Sequence, residues 1–484
     1  MESVKKNFIY NTIYQILLVI LPLITAPYIS RTLGANAVGV YSYTNSVAYY
    51  FILIAMLGIS NYGNRTIASV RDDKEKLNEK FSSIYSLQFI LFIIAIISYV
   101  VYSLFIASEN NMIFLLQTFY VASGLLDISW LFFGLEQFKL TVFRNVVIKI
   151  LTVISMFIFV KDISDLWIYT LIMSLGTFIS QLYLWFYVKK FVTFKKVSFR
   201  NITENIKPII ILFIPVIAYS IYKVMDKIML GNISNYSEVG YYNNAEKIIN
   251  IPMGIITALG TVMLPRMSNM VANGKNDKSK QYISLSVKLV TIISSAIAFG
   301  LMGISNVFTP VFFGEGFEPS AKIIYLLSIT VFFISWANVI RTQYLMPNNY
   351  DKIYVISTVV GGIVNLIINL LLIPKYAAVG AAIGTIFAEF SVMIMQVFAV
   401  RKEIPVLKYI FEYMPVLIIG FCMMFIVNWL GTLIGDSIVT IVVQILVGGL
   451  FFLICTLAFL AIKKDEFWRM SKNMFQKMLK IKVN

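Results

Sequence analysis

"PIIILFIPVIAYSIYKVMDKIMLGN", residues 208–232, is an apolar run of membrane-crossing length that closes on Lys223, Asp226 and Lys227. A helix entering a bilayer at Pro208 and rising about 1.5 Å per residue carries Lys223 about 22 Å and Asp226 about 27 Å across a hydrocarbon layer about 30 Å thick. The segment reads as a transmembrane helix with ionisable groups in its far third. The whole chain agrees: 59% of its 484 residues are hydrophobic and 13% charged, against roughly 45–50% and 25% in soluble domains.

Working outward, a window of about 19 residues places six spans before this one, near 8–30, 38–61, 82–107, 113–135, 142–160 and 164–188. From residue 208 six more follow, near 208–230, 239–263, 283–309, 320–346, 351–373 and 377–399, then two near 406–430 and 437–462. The expected fold is an all-α integral membrane protein of fourteen transmembrane helices. Its parts are a six-helix lobe (1–188), a cytoplasmic linker (189–207), a second six-helix lobe (208–400), two additional helices (401–462) and a basic tail (463–484). The opening "MESVKKNFIYNTIYQILLVILPLITAPYIS" has a basic flank, about 22 largely apolar residues and no A-x-A cleavage site, so it is expected to be a retained span.

The formal charge of +16 would suit nucleic acid if it were clustered on a soluble domain, but the basic residues sit between apolar runs. One set of connectors, "VRDDKEKLNEK", "KKFVTFKKVSFRNITENIK", "PRMSNMVANGKNDKSK", "RKEIP" and the tail, carries most of them. The alternate set, "ASENN", "KDISD", "GNISNYSE", "GEGFEPS" and "GTLIGDS", is short and nearly free of positive charge. The positive-inside rule puts the first set and both termini in the cytoplasm of a multi-pass plasma membrane protein. Phe467, Met470, Met474, Met478 and Ile481 have helical spacing, so the tail either lies on the anionic inner leaflet or serves as a solvated topology signal. Cys422 and Cys455 fall inside apolar segments and no disulfide is expected.

The halves carry a repeat. Val38-Gly39-x-Tyr41 answers Val239-Gly240-x-Tyr242, Arg65 pairs with Arg266 at the same spacing, and Leu33-Gly34 answers Leu230-Gly231. Six spans return the chain to its starting side, so a duplicated unit gives parallel, pseudo-symmetric lobes. Asn243, Glu246, Lys247 and Asn250 follow at i, i+3, i+4, i+7 and form one helical stripe at a depth comparable to Lys223 and Asp226. Such a strip either holds helices together or lines a pathway. Asp127 and Glu389 lie well inside spans and are either protonated packing residues or coupling sites for a proton or cation. Lys149 and Lys288 are expected to snorkel to the cytoplasmic interface. Arg341 is nearer that interface than the centre, and Arg31 either anchors the opposite interface or points into a cavity mouth. Pro22 and Pro27 in the first span, and Pro208 and Pro215 flanking the start of its counterpart, mark bends at matching places. The glycines of "GAAIG", at 380 and 384, read as close helix packing.

There is no G-x-x-x-x-G-K-[ST] phosphate loop and no histidine, which removes direct ATP hydrolysis, Ser-His-Asp chemistry and His-ligated zinc together. No cofactor or metal is expected, and an enzyme is the weaker class.

At "PYISRTLGANAVGVYSYTNSVAYYFILIAMLGISNYGNRTIA" (27–68), "GLLDISWLFFGLEQFK" (124–139) and "DKIMLGNISNYSEVGYYNNAEKI" (226–248) the chain resembles the Wzx-type polysaccharide flippases of the superfamily that includes MATE-type extruders and lipid II flippases. The resemblance implies two six-helix lobes around a central cavity, and transport of an undecaprenyl-diphosphate-linked oligosaccharide by alternating access. The implied partners are that substrate, membrane lipids and other polysaccharide assembly proteins, with no nucleic acid. Depth and stripe make Arg31, Lys223, Lys227 and Lys247 the phosphate candidates, and a proton or Na+ the coupling ion. Asp226 and Glu246 offset those bases. An ion-coupled drug or cation extruder of the same fold, a membrane-embedded transferase and a structural scaffold are the competing readings.

Overall fold

A computed structural model describes residues 2–107, 109–464 and 468, without the side chains of 2–19, 214, 215, 218, 219 and 222. The tail positions Phe467, Met470, Met474, Met478 and Ile481, and the side chain of Pro215, lie outside the described residues. All regular structure among the described residues is helical. The chain packs as two compact units, one of 1–244 with 366–381 and one of 245–365 with 382–484.

The first unit opens with α1 (Glu2–Met56), which breaks at Gly34 (φ 74, ψ 172) between the first two expected spans. A Cβ there would meet nothing within 4 Å, so the glycine serves the left-handed backbone and not a close contact. Next come α2 (Ile59–Val70) and α3 (Lys74–Val101), which starts on the N-cap Asp73. Its carboxylate accepts from the backbone N–H groups of Glu75 and Lys76, both at 3.1 Å, satisfying two donors that a helix start leaves open. The fourth expected span is built from three pieces, α4 (Asn111–Leu116), α5 (Thr118–Leu126) and α6 (Ser129–Gly134). Then follow α7 (Phe138–Phe159), α8 (Leu166–Phe191), the short α9 (Phe199–Thr203) and α10 (Ile206–Ile233).

The break between α5 and α6 frees backbone groups at membrane depth, where each must find a partner within the protein. Gln88 of α3 supplies most of the remedy: its Nε2 donates to the carbonyls of Gly124 (2.8 Å) and Asp127 (2.9 Å), and its Oε1 accepts from Trp130 Nε1 (3.0 Å). Trp185 of α8 donates to the Leu126 carbonyl at 2.9 Å. Trp130 in turn lies against Gly63 of α2, where a Cβ would stand 2.7 Å from its ring. Two of the family-like motifs, 27–68 and 124–139, are therefore packing partners of each other.

The helix α11 (Tyr236–Ala272) runs from the first unit into the second. It is followed by α12 (Asn276–Phe313), α13 (Pro319–Leu327), α14 (Thr330–Ile340), α15 (Asp351–Val400), α16 (Val406–Glu412), α17 (Met414–Ile434) and α18 (Ile438–Ile462). In α15 the helix breaks at Ala377 (φ 47, ψ −126), and the next amide, Ala378 N–H, donates to Glu238 Oε2 at 3.0 Å. Beside this turn a Cβ on Gly380 would stand 2.5 Å from the Leu372 carbonyl oxygen, the close packing expected there. In the second unit α12 meets α17 through small residues: a Cβ on Gly420 would be 2.4 Å from Ser295 Oγ, and one on Gly303 3.1 Å from the Met424 oxygen. That is the close approach by which membrane helices gain contact without a hydrophobic driving force between them.

Among the described residues eleven helical stretches are long and apolar enough to cross a membrane. Two of them, Ile20–Val70 and Asp351–Val400, each hold two expected spans divided at Gly34 and Ala377. With these divisions, and with α10 beside them, the layout is consistent with the fourteen spans expected. Large apolar side chains face outward, among them Phe105, Phe186 and Ile438, at 80%, 76% and 71% exposure, which suits a surface wetted by lipid.

Candidate functional site

The repeat motifs meet in the first unit. A Cβ on Gly39 would fall 1.6 Å from the Tyr236 carbonyl oxygen, and one on Gly240 2.1 Å from the Ala35 oxygen. Two repeat-related glycines thus let α1 and α11 touch backbone to backbone, on the side of the short connectors. Tyr43 packs on Gly231 and donates through its hydroxyl to Asn232 Oδ1 at 2.6 Å. Tyr50 donates to the Ser220 carbonyl at 3.1 Å.

Within this closure lies Asp226, at 1% exposure. Its Oδ2 accepts from the Tyr242 hydroxyl and its Oδ1 from Asn369 Nδ2, both at 2.6 Å. Close by on α11, Asn244 donates to Ser30 Oγ at 2.7 Å, tying that helix to the residue before Arg31. A buried carboxylate costs several kcal/mol unless donors replace its hydration; a phenol and an amide do so here. Tyr242, Asn369, Asn244 and Ser30 escaped the sequence reading. Tyr242 was on view in the repeat, whereas Asn369 is joined to Asp226 only by the fold.

The remaining expected site residues are distributed along the helices. Lys223 and Lys227 are half-buried on α10 beside Asp226, and Arg31 is exposed at the end of the first half of α1. On α11, Asn243 is buried, Glu246 and Lys247 are half-buried and Asn250 is exposed. Asp127 lies elsewhere in the first unit, at the break in the fourth span, where its Oδ1 accepts from Ser129 N–H at 2.9 Å. In the second unit Glu389 is 5% exposed on α15. Arg341 opens the π-helical turn Arg341–Leu345, with its guanidinium 5.3 Å from the Tyr354 ring centroid.

Two lysines expected to snorkel have specific surroundings. Lys288 Nζ lies 3.5 Å from Glu412, which also pairs with Lys463 at 2.9 Å. Lys149 lines a groove of about 350 Å³ between α1, α7 and α8. A separate, apolar cavity of about 490 Å³ in the second unit is lined by α12, α17 and α18 around Gly300, Met423 and Phe452. Among the described residues no group of three or more acidic or cysteine side chains could hold a metal ion.

Known proteins give this architecture a context. The chain is 25% identical to an Escherichia coli (strain K12) protein whose name assigns it to O-antigen transport, over 83% of this chain and 97% of the relative. It is 23% identical to "Capsular polysaccharide biosynthesis protein CapF" of Staphylococcus aureus, over 80% and 97%. Among solved structures, "Lipid II flippase MurJ, inward closed conformation" superposes with a TM-score of 0.77 at 16% identity, covering 94% of this chain and 98% of that one. An inward-facing MATE family multidrug transporter superposes at 0.60 and 13% identity, covering 82% and 98%. These structures show a shared fold. Residues 4–271, more than half of the chain, match the family described as "Polysaccharide biosynthesis protein", and the chain belongs to that family.

Proposed function

We propose that the chain is a flippase that carries an oligosaccharide linked to undecaprenyl diphosphate from the inner to the outer face of the plasma membrane. Sugars and a diphosphate cannot cross hydrocarbon unaided, whereas the lipid tail can stay in the bilayer. A protein doing this must enclose the headgroup while keeping one end shut. The observation that carries the reading is the closure at Gly39 and Gly240 around buried Asp226, in a chain whose family serves polysaccharide biosynthesis. The relatives named for O-antigen transport and capsular polysaccharide support the cargo class.

In this reading the short-connector end is outside and both termini are cytoplasmic. Rocking of one repeat against the other would part the glycine contact, exchanging an inward for an outward opening. Arg31, Lys223, Lys227 and Lys247 would bind phosphate by charge-assisted hydrogen bonds, and Asp226, Glu389 or Asp127 would answer to a proton or Na+.

Deleting the gene tests the proposal. A lipid-linked oligosaccharide should accumulate on the cytoplasmic leaflet while surface polymer falls. Cells that keep their surface polysaccharide and become sensitive to cationic dyes would instead identify an extruder.

A further inference from the structure

A polar pocket of about 190 Å³ lies wholly in the second unit, where two of the basic connectors, 265–280 and 401–405, come together. Ser279 and Lys280 reach it from the first two turns of α12, Tyr344 from the π-helical turn Arg341–Leu345, Asn348 and Tyr350 from the connector that follows, and Glu403 from 401–405. A π-helical turn is a frequent mark of functional sites, and here it carries one of the pocket's own side chains. Ser279 is 4% and Tyr344 8% exposed, yet among the described residues neither hydroxyl has a hydrogen-bond partner. A buried polar group left unpaired costs about 1–3 kcal/mol, so two of them on one cavity point to a guest that completes their bonds.

The rest of the wall defines that guest. Lys280 Nζ and Glu403 Oε2 pair at 2.9 Å, with side chains 40% and 57% exposed, so they form an open rim whose charge is balanced. A phosphate there would face the Glu403 carboxylate, and a cation would face the Lys280 ammonium. Asn348 donates through Nδ2 to the Tyr344 carbonyl at 2.8 Å, which leaves its amide oxygen as the end it can offer. Water would satisfy these groups but would gain nothing from the two tyrosines, whose ring centroids are 6.0 Å apart. A neutral ligand whose neighbouring hydroxyls both donate and accept, and whose C–H face can lie on an aromatic ring, uses every part of the wall. The volume equals roughly six waters at their share of the liquid, which is room for one pyranose ring and not for an oligosaccharide.

We propose that this pocket binds a single neutral sugar ring, and that the ring is part of the lipid-linked cargo, held at the cytoplasmic side before it enters the transport path. Ser279, Tyr344, Asn348 and Glu403 supply its hydrogen bonds and Tyr350 its aromatic wall. The inference rests on the flippase reading above, which makes the basic connectors cytoplasmic, and adds to it a site that reads sugar where the basic candidates read phosphate.

The test uses the full chain in lipid nanodiscs and saturation-transfer NMR. Its probes are the methyl glycosides of the common neutral hexoses, 6-deoxyhexoses and N-acetylhexosamines, with glycerol 3-phosphate as the anionic comparison. At least one glycoside should receive saturation from the wild type and keep it in the presence of glycerol 3-phosphate. Ser279→Leu should abolish that signal, and Ser279→Ala should weaken the affinity about 2- to 10-fold, the loss of one neutral hydrogen bond. Should Ser279→Leu fail to fold, Tyr350→Ala alters a side chain at the surface, 46% exposed, and a loss of about 2- to 10-fold is expected from the missing ring. No signal from any glycoside, a signal that these variants leave unchanged, or displacement by glycerol 3-phosphate overturns the sugar site and leaves the flippase reading standing. Cells that depend on the gene test the link to cargo: the variant that loses glycoside should accumulate lipid-linked oligosaccharide at wild-type protein level. Normal export by that variant overturns the link, whereas a wild-type gene that does not clear the intermediate overturns the flippase reading itself.

Discussion

Replacing Gly240 with alanine puts the central contact to a quantitative test. The added Cβ would stand 2.1 Å from the Ala35 carbonyl oxygen and 3.3 Å from Gly39 N. An ordinary carbon–oxygen contact is about 3.3 Å or more, so α1 and α11 must part by roughly an ångström, and both obstacles are backbone that no rotamer change can move. Overpacking of this kind costs about 1–3 kcal/mol. Because only the closed arrangement carries the clash, the closed-to-open ratio should fall by about 5- to 150-fold. Nitroxides at the exposed positions Asn36 and Asn235, in a background lacking Cys422 and Cys455, report the separation by electron spin resonance. The wild type should give one short distance and Gly240→Ala an added longer population. Two controls bracket the effect: Gly231→Ala meets only the Tyr43 ring, at 2.3 Å, and Gly34→Ala meets nothing within 4 Å and suffers only at its φ of 74°. A distance distribution in Gly240→Ala that matches the wild type refutes the idea that this pair of glycines sets the closure.

Gln88→Leu should abolish accumulation of folded protein, since it takes the acceptor from Trp130 Nε1 and a donor from each of the Gly124 and Asp127 carbonyls, of which Gly124 keeps only the longer bond from the Asp127 N–H at 3.3 Å, at about 1–3 kcal/mol for each group left unpaired; a wild-type yield with a symmetrical gel-filtration peak speaks against this. Asp226→Asn leaves one acceptor for the two donors Tyr242 and Asn369 and should lower the thermal midpoint by a change worth about 1–3 kcal/mol, which differential scanning fluorimetry checks. Hydrogen bonds from the Lys76 backbone and side chain, with the Glu75 N–H, hold the exposed Asp73 carboxyl below its ordinary value. Its capping contribution is therefore complete above the unfolded-state value and lost as pH falls through the depressed folded one; a fall in amide protection at the start of α3 on acidification, measured against the intrinsic exchange rate at each pH and absent in Asp73→Ala, is the expected sign.

The spans were legible because apolar length is a local property, and the breaks at Gly34 and Ala377 fall between segments that hydropathy had already separated. The break at Asp127 was not legible. A helix can be interrupted in the membrane only where other elements satisfy it, and Gln88 and Trp185 do so from α3 and α8, a long-range fact. The motifs at 27–68 and 124–139 could be quoted as signatures, but that Gly63 exists to admit Trp130 is visible only when the two meet. Asp226 stood out as a charge in an apolar run, while its partner Asn369 is 143 residues away in sequence. Depth placed Lys288 near one end of its span, and only the fold names the partner that it meets there, Glu412 at 3.5 Å.

The repeat links these points. Duplication places a glycine at corresponding positions of two helices, and a pseudo-twofold meeting then presses each against the other's backbone, as Gly39 and Gly240 do. Such a contact is broad but shallow: it gains dispersion from close backbones and buries little that water would repel, so it can be parted at modest cost. Asp226 is the exception inside it. Its hydration is replaced by Tyr242 of α11 and Asn369 of α15, so the charged group beside the glycine contact is satisfied by donors that neither glycine supplies.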